Sequence, residues 1–280
     1  MILITTAGKV GAEAARLLAQ REEPVRILVR DPEKATALGR AGVDVAVGDL
    51  GVPATIDAAM RGVSAVVLVS PAIPAQELNV VASAARAGVR HVVKITSKAS
   101  ADSPIARRRD QAEIESGLIA SGLGWTLLRN NAYMQNLLML APTIATTSSF
   151  GSSAGDGRVA MVDTRDVAAV AAQIVASPTI HRGKTYWLTG PESLSYAAAA
   201  KVLSEVLGRT ITFYPLTFDE QKQAMVDAGV PDHIAEMNAQ AVTLFAQGDS
   251  DWITDDVPSI LARPARTFEQ FVTDQAAAFS

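Results

Sequence analysis

Met1-Ile2-Leu3-Ile4-Thr5-Thr6-Ala7-Gly8-Lys9-Val10-Gly11 opens the chain, and Ala12-Glu13-Ala14-Ala15-Arg16-Leu17-Leu18 continues it. The first four residues form an uncharged apolar run of the kind buried on both faces of a parallel sheet. The continuation has a helical pattern. Strand, tight small-residue turn and helix, in that order, are the context that a dinucleotide fingerprint requires. In such a turn Gly8 lets the backbone approach a pyrophosphate, and Gly11 lets the helix pack close to the strand. The helix N-terminus then offers unpaired N–H groups and a positive dipole end to the phosphates. One position departs from the pattern. The spacing puts a first glycine at position 5, where this chain carries Thr5. The expectation is that a glycine restored there leaves the fold intact and tightens binding.

Outward from this stretch, short apolar runs alternate with helical patterns through the first half of the chain. That rhythm argues a parallel sheet covered on both faces. Val25–Arg30, Val43–Val47, Ala65–Val69, His91–Ile95 and Trp125–Arg129 read as the further strands. Asp31-Pro32-Glu33 opens a helix with Asp31 as its cap. Past residue 130 the rhythm changes. Residues 145–157, rich in Thr, Ser and Gly, read as a mobile loop that lies over a site. Thr217-Phe218-Asp219-Glu220 and Thr267-Phe268-Glu269-Gln270 both fit the capping box, so each starts a helix. The fold class is therefore α/β: a Rossmann-type doubly wound parallel sheet with a small, mainly helical C-terminal lobe.

Composition removes several classes of function. The 280 residues carry 25 basic and 29 acidic side chains, a net charge of −4 with no basic stripe, which argues against a nucleic-acid partner. There is no cysteine, so disulfides, thiolate nucleophiles and Cys-ligated metals are absent. His91, His181 and His233 lie far apart without ligand spacing, and no metal site is expected. No apolar stretch reaches spanning length, and the N-terminus begins with a strand rather than a signal peptide. The expectation is a soluble cytoplasmic protein that meets a small molecule rather than a membrane.

Candidate residues follow from strand ends. Arg30 closes the second strand about twenty residues beyond the glycine turn, where the adenine ribose is read; an arginine there pairs with a 2′-phosphate. The alternative is an idle surface charge. The phosphate reading favours NADP(H) over NAD(H). Lys9 would add positive charge to the turn; the alternative is a solvated lysine at the helix start. Asp49, beside Leu50, either meets adenine or caps a turn. Ser70-Pro71 ends the fourth strand at the crevice edge. Thr96-Ser97-Lys98 and Asn130-Asn131-Ala132-Tyr133-Met134 follow the fifth and sixth strands and should face the reacting end; the alternative is that they are solvated loop residues. Lys94 lies on a strand that should be buried, so it points into the crevice or pairs with a carboxylate, because an unpaired buried ammonium is too costly. The cofactor set is Thr5, Ala7, Gly8, Lys9, Val10, Gly11, Arg30, Asp49, Leu50, Ser70, Pro71, Thr96 and Asn131; the catalytic set is Lys94, Ser97 and Tyr133. Every Tyr (Tyr133, Tyr186, Tyr196, Tyr214) lacks a lysine four residues on, so the Tyr-x-x-x-Lys proton donor of one common reductase class is missing. No nucleophile elbow and no P-loop lysine–serine pair occur.

These motifs, with Val25 to Lys34, Gly48-Asp49-Leu50, His91 to Ser97, Ser121 to Arg129, Asn136-Leu137-Leu138 and Leu188 to Glu192, resemble the NmrA-like branch of atypical short-chain dehydrogenases/reductases. The resemblance runs over nearly all of the chain. It implies a Rossmann domain over 1–150, with returning segments from about 158–190, and a substrate-side lobe over 191–280. The site would lie in the cleft between them, without the usual catalytic tyrosine. The implied activity is NADP(H)-dependent hydride transfer to a small conjugated electrophile such as a quinone or dye. The alternative is a non-catalytic NADP(H)-binding redox sensor that acts through a protein partner. Gln111 stands where similar reductases often carry a histidine, a departure that bears on proton supply.

Overall fold

The computed structural model describes all 280 residues. In chain order its elements are β1 (Ile2–Ile4), α1 (Lys9–Gln20), β2 (Val25–Val29), α2 (Thr36–Arg40), β3 (Asp44–Val47), α3 (Pro53–Ala59), β4 (Ala65–Leu68), α4 (Pro74–Arg86), β5 (His91–Ser97), α5 (Ala106–Ala120) and β6 (Gly124–Asn130). The chain continues with α6 (Ala141–Thr147), β7 (Ser149–Ser152), β8 (Arg158–Val159), α7 (Thr164–Ala176), β9 (Lys184–Leu188) and β10 (Leu194–Ser195). It ends with α8 (Tyr196–Leu207), β11 (Thr212–Pro215), α9 (Phe218–Asp227), α10 (Asp232–Ala246), α11 (Asp256–Leu261) and α12 (Phe268–Asp274).

Two compact units form. The first comprises 1–130 and 164–187, and the second 131–163 and 188–280. The division falls at Asn130/Asn131 and not near residue 150. Residues 131–150 pack with the C-terminal part because Leu137, Ile144 and Phe150 enter its apolar core. The expected boundary followed the end of the β-α rhythm, which carries no information about where an apolar side chain is buried.

The first unit holds a seven-stranded sheet ordered β3-β2-β1-β4-β5-β6-β9, with every pair from β3 to β6 parallel. Ile2 sits opposite both Val25 and Ala65, which fixes the register at the sheet's centre. Leu3, Leu28, Val66, Val92 and Leu127 share one apolar cluster with Ile56, Val80 and Leu118 of α3, α4 and α5. The alternate positions, among them Ile4, Ile27, Val67 and Val93, are as deeply buried and turn to the other face, where α1 and α7 pack on each other. Strands buried on both faces explain the uncharged runs in the sequence.

His91 starts β5 and is buried with its Nε2 2.9 Å from Thr126 Oγ1. Burial, reinforced by Arg182, pushes its imidazole down to about 4 from the ordinary 6.5. Between those values the unfolded chain binds more protons than the folded one. The stabilisation is therefore complete above about pH 6.5 and is lost as the pH falls through about 4. His91→Asn is expected to flatten the fall of the urea midpoint across that window.

The second unit has a core of Phe150, Val159, Leu203, Phe268, Phe271 and Phe279. Both capping boxes are present, Thr217 with Glu220 at α9 and Thr267 with Gln270 at α12. The segment 145–157, expected as a mobile loop, instead completes α6 and forms β7, which pairs in parallel with β11 from Thr212 opposite Ser149 to Pro215 opposite Ser152. Phe150 and Ala154 are fully buried there. Long-range strand pairing overrode a turn-like composition. No helix of the chain is long and apolar enough to cross a membrane.

Candidate functional site

The crevice of an open parallel sheet lies outside the carboxyl ends of its strands, where the strand order reverses. Here that point is between β1 and β4. The turn after β1 is built without a side-chain cap. Gly8 is the N-cap of α1 with φ −69° and ψ −179°, no side chain bonds the first turn, and no acidic residue stands in it. The dipole end and its N–H groups are therefore left for an anion. Gly8 and Lys9 are exposed, and a Cβ at Gly8 would meet nothing nearer than Thr6 Oγ1 at 3.9 Å. Gly11 differs, since a Cβ there would lie 2.0 Å from the Thr6 carbonyl oxygen. Ala7 is half-buried in the turn, and Val10 is buried beneath it. An open, cationic, uncapped cradle of this kind fits a dinucleotide diphosphate.

Thr5 does not obstruct the turn. Its side chain is almost wholly buried, and its hydroxyl donates to the Val69 carbonyl at 2.7 Å and accepts from the Val69 N–H at 2.9 Å. The Thr6 hydroxyl donates to the same carbonyl at 3.0 Å. Two hydroxyls thus stitch the end of β1 to the end of β4. This revises the expectation for position 5. Thr5→Gly removes both bonds of Val69 to the Thr5 hydroxyl and adds freedom to the unfolded chain, so a loss of about 1–2 kcal/mol is expected in a urea melt.

Arg30, just past β2, is exposed and makes no ion pair. Asp31 beside it accepts from the Glu33 N–H at 3.0 Å, the capping role read from the sequence. Asp49 takes the turn-capping alternative with one oxygen, which accepts from the Gly51 N–H at 2.7 Å. The Leu50 side chain is in the apolar core under β1 and β4, so it does not meet a ligand as expected. Pro71 is exposed at the crevice edge.

Lys94 follows the second of its two alternatives. Its ammonium is completely buried, with Nζ 2.9 Å from Glu77 Oε2, and it also donates to the Ile95 carbonyl. Burial pushes the ammonium below the usual lysine range, and the Glu77 carboxylate opposes that shift. A group sealed in this way does not reach a reacting atom, which removes Lys94 from the catalytic set. Lys94→Met alone leaves a buried carboxylate without its partner and is expected to destabilise the fold by about 3–5 kcal/mol in the same melts. Ser70 also turns inward, its hydroxyl donating to Glu77 Oε1 at 2.7 Å, so it is not a side-chain ligand.

Thr96 is withdrawn as well. Its buried Oγ1 lies 2.9 Å from both Gln111 Oε1 and Glu115 Oε1. One hydroxyl proton cannot serve both acceptors. The consistent assignment turns the Gln111 amide so that it donates to Thr96, which in turn donates to Glu115. Arg129 grips Glu115 with Nη2 at 2.5 Å and Nε at 3.2 Å, and its guanidinium lies 5.0 Å from the Trp187 ring centre. Ser97, the last residue of β5, is half-buried at the strand end.

The remaining candidates belong to the second unit. Asn131 is buried, with its amide donating to the Ser250 carbonyl at 3.0 Å and accepting from the Ala132 N–H at 2.8 Å. These bonds make it a brace rather than an exposed ligand group. Met134 is buried in the Phe150 core and does not supply the expected apolar contact to a substrate. Tyr133 is half-buried and pairs as a bridge with Val162.

Sequence reading missed Thr6, Glu77, Glu115 and Arg129. The one available signal was Lys94, since a lysine on a central strand calls for a carboxylate, but spacing could not say that α4 would supply it.

A model of the NmrA-like family matches residues 1–272. The chain is 37% identical over 283 residues to the NAD(P)H azoreductase of Xenophilus azovorans, covering 100% of this chain and 99% of that one. It is 40% identical over 287 residues to the (4-alkanoyl-5-oxo-2,5-dihydrofuran-3-yl)methyl phosphate reductase of Streptomyces griseus, covering 100% and 99%. The crystal structure of the NADPH-dependent quinone oxidoreductase QOR2 from Escherichia coli, complexed with NADPH, superposes with a TM-score of 0.89 at 29% identity, covering 99% of this chain and 100% of that one. The chain belongs to the NmrA-like family.

Proposed function

We propose that this protein is an NADP(H)-dependent oxidoreductase that reduces a small conjugated electrophile such as a quinone or dye. The observation that carries the reading is the uncapped turn at Gly8–Gly11 with an unpaired Arg30 beyond it, in a chain that aligns end to end with reductases of that kind. When bound, the reduced nicotinamide supplies the hydride. The chain's own part is to hold and orient. The N–H groups from Gly8 to Gly11 and the Lys9 ammonium bind the diphosphate, and Arg30 binds the 2′-phosphate. Ala7, Asp49 and Pro71 border the crevice. Ser97, at the end of β5, is the remaining polar side chain of the first unit for the reacting end, since Lys94 and Thr96 are withdrawn. With no Tyr-x-x-x-Lys pair, acceptors whose reduced anions are stable in water suit this site best.

The test mixes purified protein with NADPH and a panel of quinones, azo dyes and triphenylmethane dyes, and follows the reduced nicotinamide absorbance. Saturable oxidation is the expected result. Tight binding without oxidation would favour a cofactor sensor acting through a protein partner, a reading that the sealed Lys94 and Thr96 keep in view. Absence of any binding would sink both.

A further inference from the structure

The buried pair of Lys94 and Glu77 has no place in the chemistry above. Stability does not account for it, since an apolar pair of similar volume often serves a fold as well or better. Its contacts do. Glu77 Oε1 accepts from the Ser70 hydroxyl at 2.7 Å, and Ser70 Oγ accepts from the Ala72 N–H at 3.3 Å. Ala72 has φ +63°, a left-handed conformation that an alanine adopts only when its surroundings impose it. Val69, just before this loop, is held by the Thr5 and Thr6 hydroxyls of the diphosphate turn. The loop over residues 70–73 follows β4, and the diphosphate turn follows β1. They flank the point where the strand order reverses.

We propose that Lys94 and Glu77 are positioning residues which, through Ser70, hold the 70–73 loop as one wall of the dinucleotide crevice. The inference rests on the NADP(H) reading. Lys94 holds the Glu77 carboxylate in place, its Nζ 2.9 Å from Oε2 and 3.3 Å from Oε1, the oxygen that accepts from Ser70. The left-handed turn at Ala72 is then retained without a glycine, because the anchored Ser70 Oγ receives its N–H.

Four proteins test this beside the parent: Ser70→Ala, Ser70→Thr, the double variant Lys94→Met with Glu77→Leu, and that double variant with Ser70→Ala added. Hydrogen exchange at the Ala72 and Ile73 amides is read in the cofactor-free proteins, and the NADPH dissociation constant by calorimetry. Losing a bond to a charged acceptor is expected to speed exchange and weaken NADPH by about tenfold in Ser70→Ala. Ser70→Thr should retain parent values. The double variant should reproduce the weakening, and adding Ser70→Ala to it should weaken NADPH no further. Unchanged affinity in Ser70→Ala, with or without faster exchange, overturns the proposal. So does an additive loss in the combined variant, because Ser70 would then act without the pair. A parent that fails to bind NADPH overturns the reductase reading and this inference together, whereas a binding parent with an indifferent Ser70→Ala overturns this inference alone.

Discussion

Arg30→Ala is expected to raise the NADPH dissociation constant by about 10- to 150-fold, and to leave that for NADH within about twofold. The estimate is the about 1.5–3 kcal/mol of a hydrogen bond made to a charged group. Three features of the site support so selective an effect. Arg30 stands at the end of the strand beside β1, its side chain is exposed, and it has no ion pair to break. Asp31, its neighbour in the chain, accepts a backbone bond from the Glu33 N–H. The ligand difference is a single dianionic group, so the change in affinity reports that contact directly. Arg30→Lys keeps the charge but loses the planar fork, and an intermediate loss is expected. Because the residue is exposed, the selectivity should shrink as salt is added. Calorimetry with both nucleotides at two ionic strengths decides the matter, and an equal loss for NADPH and NADH would return Arg30 to the surface.

The second large effect separates the two glycines of the turn. Gly11→Ala sets a Cβ 2.0 Å from the Thr6 carbonyl oxygen, a backbone atom held in place because the Thr6 side chain bonds Val69. Either α1 or the turn must move. The expected result is a stability loss of about 1–3 kcal/mol or more, with NADPH binding reduced in step. Gly8→Ala makes only an ordinary contact, 3.9 Å to Thr6 Oγ1, and keeps a φ of −69° that any residue adopts. Its melting temperature should match the parent, and only the approach of a diphosphate to the backbone is obstructed. A pair of melts and a pair of titrations checks both. Loss of stability in Gly8→Ala, or unaltered stability in Gly11→Ala, would reverse the roles assigned to them.

Much of the site's frame is legible in the sequence. The strand–turn–helix opening, the end of β2 at Arg30 and the capping of Asp31 follow from local rules that act within a few residues. The capping boxes at Thr217 and Thr267 are equally local. The errors share one cause. Thr96, Ser70, Asn131 and Leu50 were read as facing a ligand because they follow strand ends, yet Ser70, Thr96 and Asn131 bond partners 7, 19 and 119 residues along the chain and Leu50 enters the apolar core. The segment 145–157 was read as a loop because Ser, Thr and Gly favour turns, and β11, some sixty residues later, made a strand of it.

By itself the sequence determined the α/β class, the strands buried on both faces and the strand–turn–helix opening around Gly8 and Gly11. Those depend on period, on glycine sterics and on helix ends, all properties of neighbouring residues. The tertiary structure alone decided which polar groups face the crevice. Lys94 became an internal brace because α4 carries Glu77 to within 2.9 Å of its ammonium, and Thr5 became a seam because β4 brings Val69 to its hydroxyl. A side chain's direction at a strand end is set by the nearest partner that can satisfy its polar atoms, and that partner is chosen by packing across the sheet rather than by distance along the chain.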